Sequence, residues 1–205
     1  MNTLSKCGVR FFLTGGTALS RAYYNHRYSD DLDFFVNQDE DYLIQMKEVF
    51  FKLKEDGFFW DPVVDFISYE TFTRLNVRWS KSEVALKLDF VNDSTAHVGE
   101  ITSTNIYYRT DCIRNILSNK LTAVYRFAAK DIVDIREIAL RESVNWSQAI
   151  NDARKKEAGV ELTLISQIMT GMPQSEFDTI AWTKKPSWNE FQEDIKRIVF
   201  EMINS

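Results

Sequence analysis

The chain has 205 residues, 44% of them hydrophobic, and carries 25 Lys and Arg against 30 Asp and Glu, a formal net charge of −5. This is enough apolar material for one large or two small packed domains, and the acidic balance excludes a broadly basic nucleic-acid coat while leaving room for a local basic groove. Only two cysteines occur, Cys7 and Cys112, far apart and without a His or Cys cluster, so neither a disulfide framework nor a zinc site is expected. A reducing cytoplasmic setting fits this pattern. No apolar run is long enough to span a bilayer, and the N-terminus lacks a signal-like core.

In chain order, Val9 to Leu13 reads as a strand, Gly15 and Gly16 as a turn, and Thr17 to Tyr24 as a short helix. A Gly-Gly turn lets backbone N–H groups and a helix N-terminus approach a phosphate, and Thr17 can add a hydroxyl donor. The next strand carries Asp31 and Asp33 in alternation with Leu32, Phe34 and Val36. At a period of two, both carboxylates leave one face, a geometry suited to a divalent metal. The two halves together ask for a metal-bound polyphosphate.

These residues carry a resemblance. Gly15-Gly16-Thr17-Ala18-Leu19, followed by His26-Arg27-Tyr28-Ser29-Asp30-Asp31-Leu32-Asp33-Phe34, resembles the nucleotidyltransferases of the DNA polymerase β-like superfamily, and within it the AbiEii/AbiGii toxin-like family. A bare Gly-Gly or a bare Asp-x-Asp means little. The two in this order, each on its expected element, are a specific signal.

Asp39 to Asp56 has helical spacing of Leu43, Met46, Val49, Phe50 and Leu53, with Gly57 as a stop. Three strand candidates follow: Val63 to Tyr69, Thr71 to Trp79 and Val84 to Val91, the last two joined through Ser80, Lys81 and Ser82. Strand alternation sends Val84, Leu86, Leu88 and Phe90 to one face, Lys87 and Asp89 to the other. Asp89 alone reads equally as a solvated acid. Beside Asp31 and Asp33 it resembles the family's third carboxylate, able to share a metal and take the proton of an attacking hydroxyl.

From Asp111 the pattern turns helical, with helices expected near Ile113–Ala129, Asp131–Arg141, Trp146–Ala158, Glu161–Met169 and Trp188–Met202. Lys120 lies near the middle of an apolar stripe of Ile113, Ile116, Leu117, Leu121, Val124 and Phe127. Spacing leaves two readings open: the ammonium snorkels to the edge, or it meets an anion. The resemblance of Lys120-Leu121-Thr122-Ala123 to the family's lysine motif implies contact with a nucleotide triphosphate. Arg126 falls off the stripe and is assigned to a solvated face or a second subsite. Lys130-Asp131-Ile132-Val133-Asp134 is similar to the family's basic-Asp-x-x-Asp motif. Asp131 is read as supporting Lys120 on an unbroken helix, or as a helix N-terminal acid. Arg27 and Ser29 can reach a phosphate or fix the loop before the metal strand. His26 and His97 are too separated for a catalytic pair, and Trp79, Trp146, Trp182 and Trp188 read as core or interface aromatics.

The expected architecture is α+β. Residues 1–108 would form a mixed sheet flanked by helices, and residues 109–205 a helical domain that completes the nucleotide and acceptor cleft. The resemblance covers roughly the first 140 residues and implies transfer of NMP from an NTP to an acceptor hydroxyl with release of pyrophosphate. It implies Mg²⁺ or Mn²⁺ on Asp31, Asp33 and Asp89, a nucleotide bound by Gly15, Gly16, Thr17 and Lys120, and a toxin-like role with an antitoxin partner; Arg27 and Ser29 are further phosphate candidates, and Asp131 supports Lys120 or a nucleotide-binding group. Transfer-RNA is among the acceptors it implies. An aminoglycoside-type small-molecule transferase and a non-catalytic nucleotide-binding module are the competing expectations, and a homodimer is compatible with the aromatic content.

Overall fold

A computed structural model describes residues 1–79, 82 and 84–205. Ser80 and Lys81, expected in a strand connection, lie outside the described residues. The elements in order are α1 (Asn2–Ser5), β1 (Phe12–Thr14), α2 (Gly15–Thr17), a π-helical segment (Ala18–Tyr24), β2 (Asp31–Asn37), α3 (Tyr42–Glu55), β3 (Phe58–Phe59), β4 (Phe66–Ser68), β5 (Phe72–Trp79) and β6 (Leu86–Asp93). Then come α4 (Ile113–Ala123), a 3₁₀ turn (Val124–Arg126), α5 (Ala129–Arg141), α6 (Trp146–Lys156), α7 (Leu162–Thr170), α8 (Gln174–Asp178) and α9 (Trp188–Ile203). The fold is α+β with a mixed sheet, as the alternation and the later helical periodicity require. The chain divides into two compact units, Met1–Ala22 with Ser29–Asp111, and Tyr23–Tyr28 with Cys112–Ser205. The sequence reading set its boundary near residue 108; in the structure Tyr23–Tyr28 groups with the helical unit.

In the first unit the strands run in the order β1-β2-β6-β5-β3, with β4 also on β5. The β2 and β6 pair is parallel; β1 with β2 and β5 with β6 are antiparallel. Register sets two faces. On the core face Phe34 lies beside Phe90, both fully buried, their rings stacked at 5.3 Å, and Phe11 meets Phe90 edge-on at 5.1 Å. Each such ring contributes about 2–3 kcal/mol of burial. α3 covers this face through Met46, Val49 and Leu53, and its Tyr42 hydroxyl donates to Thr73 Oγ1 at 3.0 Å. On the opposite face the same register aligns Thr14, Asp33, Asp89 and Arg74 in one row across four strands.

Several boundaries differ from the sequence reading. Gly15 and Gly16 open a helical segment instead of forming a separate turn, because Gly15 takes φ +68° and turns the strand directly into the helix. β6 begins at Leu86, and Val84 is exposed, so the buried alternation is carried by Leu88 and Phe90 alone. The two-residue β3 and the short α1 and α8 were not anticipated, being too short to show a period.

In the helical unit, α4 buries Ile116, Leu117 and Leu121, and α5 buries Ile132, Val133, Ile135 and Ile138. α9 starts on a capping sequence, Ser187 Oγ accepting from the Glu190 N–H at 3.2 Å, and buries Phe191, Ile195, Ile198, Val199 and Met202. Phe177, Trp182, Trp188 and Phe191 form one aromatic cluster with ring centroids 5.0–6.3 Å apart. Trp146 is buried, whereas Trp79 is half exposed. The helix expected through Ala129 stops early. Phe127 takes a left-handed conformation, φ +57°, and its ring is exposed, not part of the stripe. Among the described residues no helix is long and apolar enough to cross a membrane.

Candidate active site

The polar face of the sheet gathers Asp31, Asp33 and Asp89. Asp31 and Asp33 face Lys87 and Asp89 across the parallel β2–β6 pair, so all four side chains leave the same side. Gly15 sits against this row: a Cβ there would stand 2.6 Å from Asp33 Oδ2. Only glycine satisfies both that approach and the positive φ. Gly16 is buried beside it. Thr17 is fully buried and its hydroxyl donates to the Asp31 carbonyl, so it ties the helical segment to the start of β2. Ser29 is partly exposed, two residues before Asp31.

Arg74 and Lys87 lie on this face against the acids, and neither was given a role from sequence. Arg74 on β5 forks onto Asp89, Nε to Oδ1 at 2.7 Å and a terminal nitrogen to Oδ2 at 2.8 Å. The hydrogen bond to Asp89 raises the Arg74 pKa, with further help from the charges of Asp31 and Asp33. Lys87 donates to Asp31 Oδ2 at 2.8 Å and lies 3.7 Å from Asp89 Oδ2. The signal for Arg74 was its place in the polar alternation Phe72, Arg74, Asn76, Arg78; its pairing with Asp89 depends on the β5–β6 register, which no local pattern encodes.

Asp31, Asp33 and Asp89, on the adjacent strands β2 and β6 with Gly15 packed against Asp33, are hard-oxygen donors whose chemistry fits Mg²⁺ or Mn²⁺. Among the described residues, the His, Cys and acidic side chains whose ligand atoms already lie, three together, within 4.8 Å of one another are His97, Asp111 and Cys112.

In the helical unit a second ionic group is sealed from solvent. Lys120 Nζ lies 2.8 Å from Asp131 Oδ1 and 2.6 Å from Asp134 Oδ2, both carboxylates being fully buried. Lys120 therefore meets an anion instead of snorkelling. Burial alone would lower its pKa, but the charges of Asp134 and Asp131 outweigh that and raise it. Asp134 also receives Arg27, Nε to Oδ1 at 2.7 Å and a terminal nitrogen to Oδ2 at 2.8 Å, and His26 Nε2 at 2.8 Å. Burial would push the Asp134 carboxyl up; Lys120, His26 and Arg27 hold it well below the usual carboxylate range.

Arg27 is thus engaged by Asp134 and by the Tyr28 carbonyl at 3.0 Å, and it fixes the 23–28 segment, which is also held by Tyr28 N–H to the Ala181 carbonyl at 2.7 Å. Arg126, read as serving a solvated face or a second subsite, is half exposed and is also ion-paired. Its guanidinium forks onto Asp131 at 2.6 and 2.8 Å, because the left-handed break at Phe127 folds the 3₁₀ turn back over the start of α5. Asp131 also meets Lys120 despite the break. Its carboxylate goes to these cations and not to a helix cap. Asp134 was passed over from sequence, although its i,i+3 spacing from Asp131 places both acids on one helix face. His97 is satisfied through Nε2 to Asp111 Oδ1 at 2.9 Å.

A mixed sheet bearing an Asp-x-Asp strand, a third acid on the parallel neighbour and a glycine against the row is the arrangement expected from the sequence motifs. The family model for nucleotidyl transferase AbiEii toxin, type IV toxin–antitoxin system, matches residues 2–200, and the chain belongs to that family. It is a nucleotidyltransferase toxin of the type IV kind, and the match extends beyond the first 140 residues that the motifs alone cover. The fold is similar to that of JHP933 from Helicobacter pylori, with TM-score 0.66 and 18% identity over 100% of this chain and 90% of that one. It is also similar to MenT4, nucleotidyltransferase toxin Rv2826c from Mycobacterium tuberculosis H37Rv, with TM-score 0.59 and 17% identity over 96% of this chain and 76% of that one. No curated protein matches the sequence.

Proposed function

We infer that the protein transfers a nucleoside monophosphate from an NTP to an acceptor hydroxyl, releasing pyrophosphate, in a reaction that needs Mg²⁺ or Mn²⁺ on Asp31, Asp33 and Asp89. The observation that supports this most directly is the parallel register that sets Asp33 beside Asp89, with Asp31 on the same face. When bound, a divalent ion there neutralises phosphate charge and aligns attacking and leaving oxygens. Asp31 and Asp33 would hold it; Asp89, held in place by the Arg74 fork, would complete the donor set and take the proton of the acceptor hydroxyl. The Gly15–Gly16 backbone offers N–H groups to phosphate, and Ser29, ahead of β2, is a further hydroxyl donor for it. Thr17 braces β2. In the helical unit Asp131, Asp134, Arg27 and Arg126 orient Lys120, whose contact with the triphosphate rests on the family resemblance. Transfer-RNA is the acceptor this reading favours, within the cytoplasm, with an antitoxin as partner and a homodimer compatible.

The test is incubation with Mg²⁺, each α-labelled NTP and total bacterial tRNA, beside the Asp31→Ala/Asp33→Ala double variant. Label moving to RNA only with the intact protein supports the reading and identifies the nucleotide. Transfer to an aminoglycoside instead changes the acceptor. Tight metal-dependent NTP binding with no transfer to RNA, protein or aminoglycoside overturns the reading in favour of a non-catalytic nucleotide-binding module.

A further inference from the structure

Asp31 and Asp89 each meet a cation, and Lys87 and Arg74 are held there in unlike ways. Arg74 makes two parallel hydrogen bonds to Asp89 at 2.7 and 2.8 Å, and its guanidinium lies over the Phe72 ring at 5.4 Å. A planar fork so placed is pre-organised and costly to move. Lys87 makes one short contact, 2.8 Å to Asp31 Oδ2; its second carboxylate, Asp89, is 3.7 Å away, beyond hydrogen-bond range. The Lys87 side chain is 31% exposed and Asp31 35%, so the ammonium has water to retreat into.

Withdrawal of Lys87 leaves Asp31 without that ammonium, which favours an incoming dication at the same carboxylate. Arg74 need not leave, because a carboxylate has about four lone-pair sites and can accept an arginine fork while ligating an ion.

We propose that Lys87 is a built-in stopper of the metal site: its ammonium occupies Asp31 in the metal-free protein and is expelled from it when a divalent cation binds, while Arg74 stays on Asp89. The proposal rests on the assignment of Asp31, Asp33 and Asp89 as metal ligands. Its consequence is an exchange of one cation for another. The metal-free acids do not repel one another apart, and the loaded site releases a lysine on β6 beside the bound ion. A cation that must displace a partly buried ion pair binds more weakly than the donor set alone would allow.

Site-specific amine acetylation, read by peptide mass spectrometry on the full chain, tests the expulsion directly. Mg²⁺ should raise the labelling rate at Lys87 about threefold or more, as expected for an ammonium released from an ion pair to solvent, with the exposed lysines Lys47 and Lys130 as internal references. In Asp31→Asn the Lys87 rate should be high without Mg²⁺ and insensitive to it. Binding of Mn²⁺, counted by electron paramagnetic resonance, should tighten about three- to tenfold in Lys87→Met.

If the intact protein binds Mn²⁺ but Lys87 labelling does not change with Mg²⁺, the stopper is overturned and the metal reading stands. Unchanged or weaker Mn²⁺ affinity in Lys87→Met likewise overturns it. If the intact protein binds no Mn²⁺, the metal reading fails and takes the stopper with it.

Discussion

Asp31 in the sheet and Asp134 in the helical unit each hold a lysine, at 2.8 and 2.6 Å, yet Asp31 is 35% exposed and Asp134 is completely buried. The first pair lies within reach of water, where an ion pair contributes little and either partner can be exchanged. The second is one contact in a cluster of His26, Arg27, Lys120 and Asp134, where removing a partner strands a charge in a medium that cannot solvate it. The same chemistry therefore gives a replaceable contact in one unit and a structural anchor in the other. On the proposed function the sheet acids need the former, since a metal has to find them. A segment that must keep one conformation needs the latter, as Tyr23–Tyr28 does through Arg27.

The largest effect that follows is on Asp134. Asp134→Asn is expected to cost about 3–5 kcal/mol in denaturant unfolding, and a loss under about 1 kcal/mol would erase the contrast between the two clusters. The same group shapes the acid limb of stability. Its folded pKa is depressed, so its contribution is complete above the ordinary carboxylate value of about 3.9 and is lost as pH falls below that toward the folded value. Lys120, with a raised folded pKa, contributes fully below about 10.4 and loses that contribution as pH rises through its folded value. Melting temperature against pH should therefore fall at both ends in the intact protein, and the acid fall should shrink in Asp134→Asn.

Next in size is the double variant Asp31→Asn/Asp33→Asn. Nucleotide transfer should drop about a hundredfold or more, while unfolding free energy shifts by only about 1 kcal/mol. A large stability loss would show that these acids serve the fold. Gly15→Ala should cost about 1–2 kcal/mol through its positive φ and also weaken Mn²⁺ binding, because the new Cβ displaces Asp33 Oδ2. Calorimetric titration with Mn²⁺ separates the two effects. Smallest is Arg126→Ala. Its side chain is half exposed and Asp131 keeps Lys120, so a loss of about 1 kcal/mol or less is expected by thermal unfolding.

Legibility differed between the same two regions. Strand alternation placed Asp31 and Asp33 on one face of β2 and Asp89 opposite the apolar face of β6, because side-chain direction in a strand is a local property; that the two polar faces coincide is set by the β2–β6 register. Helical spacing similarly put Lys120 on a buried stripe. It did not place Arg126, because a single left-handed residue at Phe127 redirects the chain and a phenylalanine gives no local warning of that conformation. Arg74 and Asp134 went unassigned for another reason. Each is ordinary in its own element, and its partner lies 15 residues away in one case and 107 in the other.

The sequence by itself determined the class of fold, the glycine pair ahead of the acidic strand and the identity of the carboxylates. These follow from periodicity and from residue chemistry at short range. Tertiary structure alone decided which cation meets which acid, that Thr17 braces β2, and that Tyr23–Tyr28 packs with the helical unit. Those outcomes depend on strand register and on which charges are buried together, and both are set by how distant segments exclude water from one another.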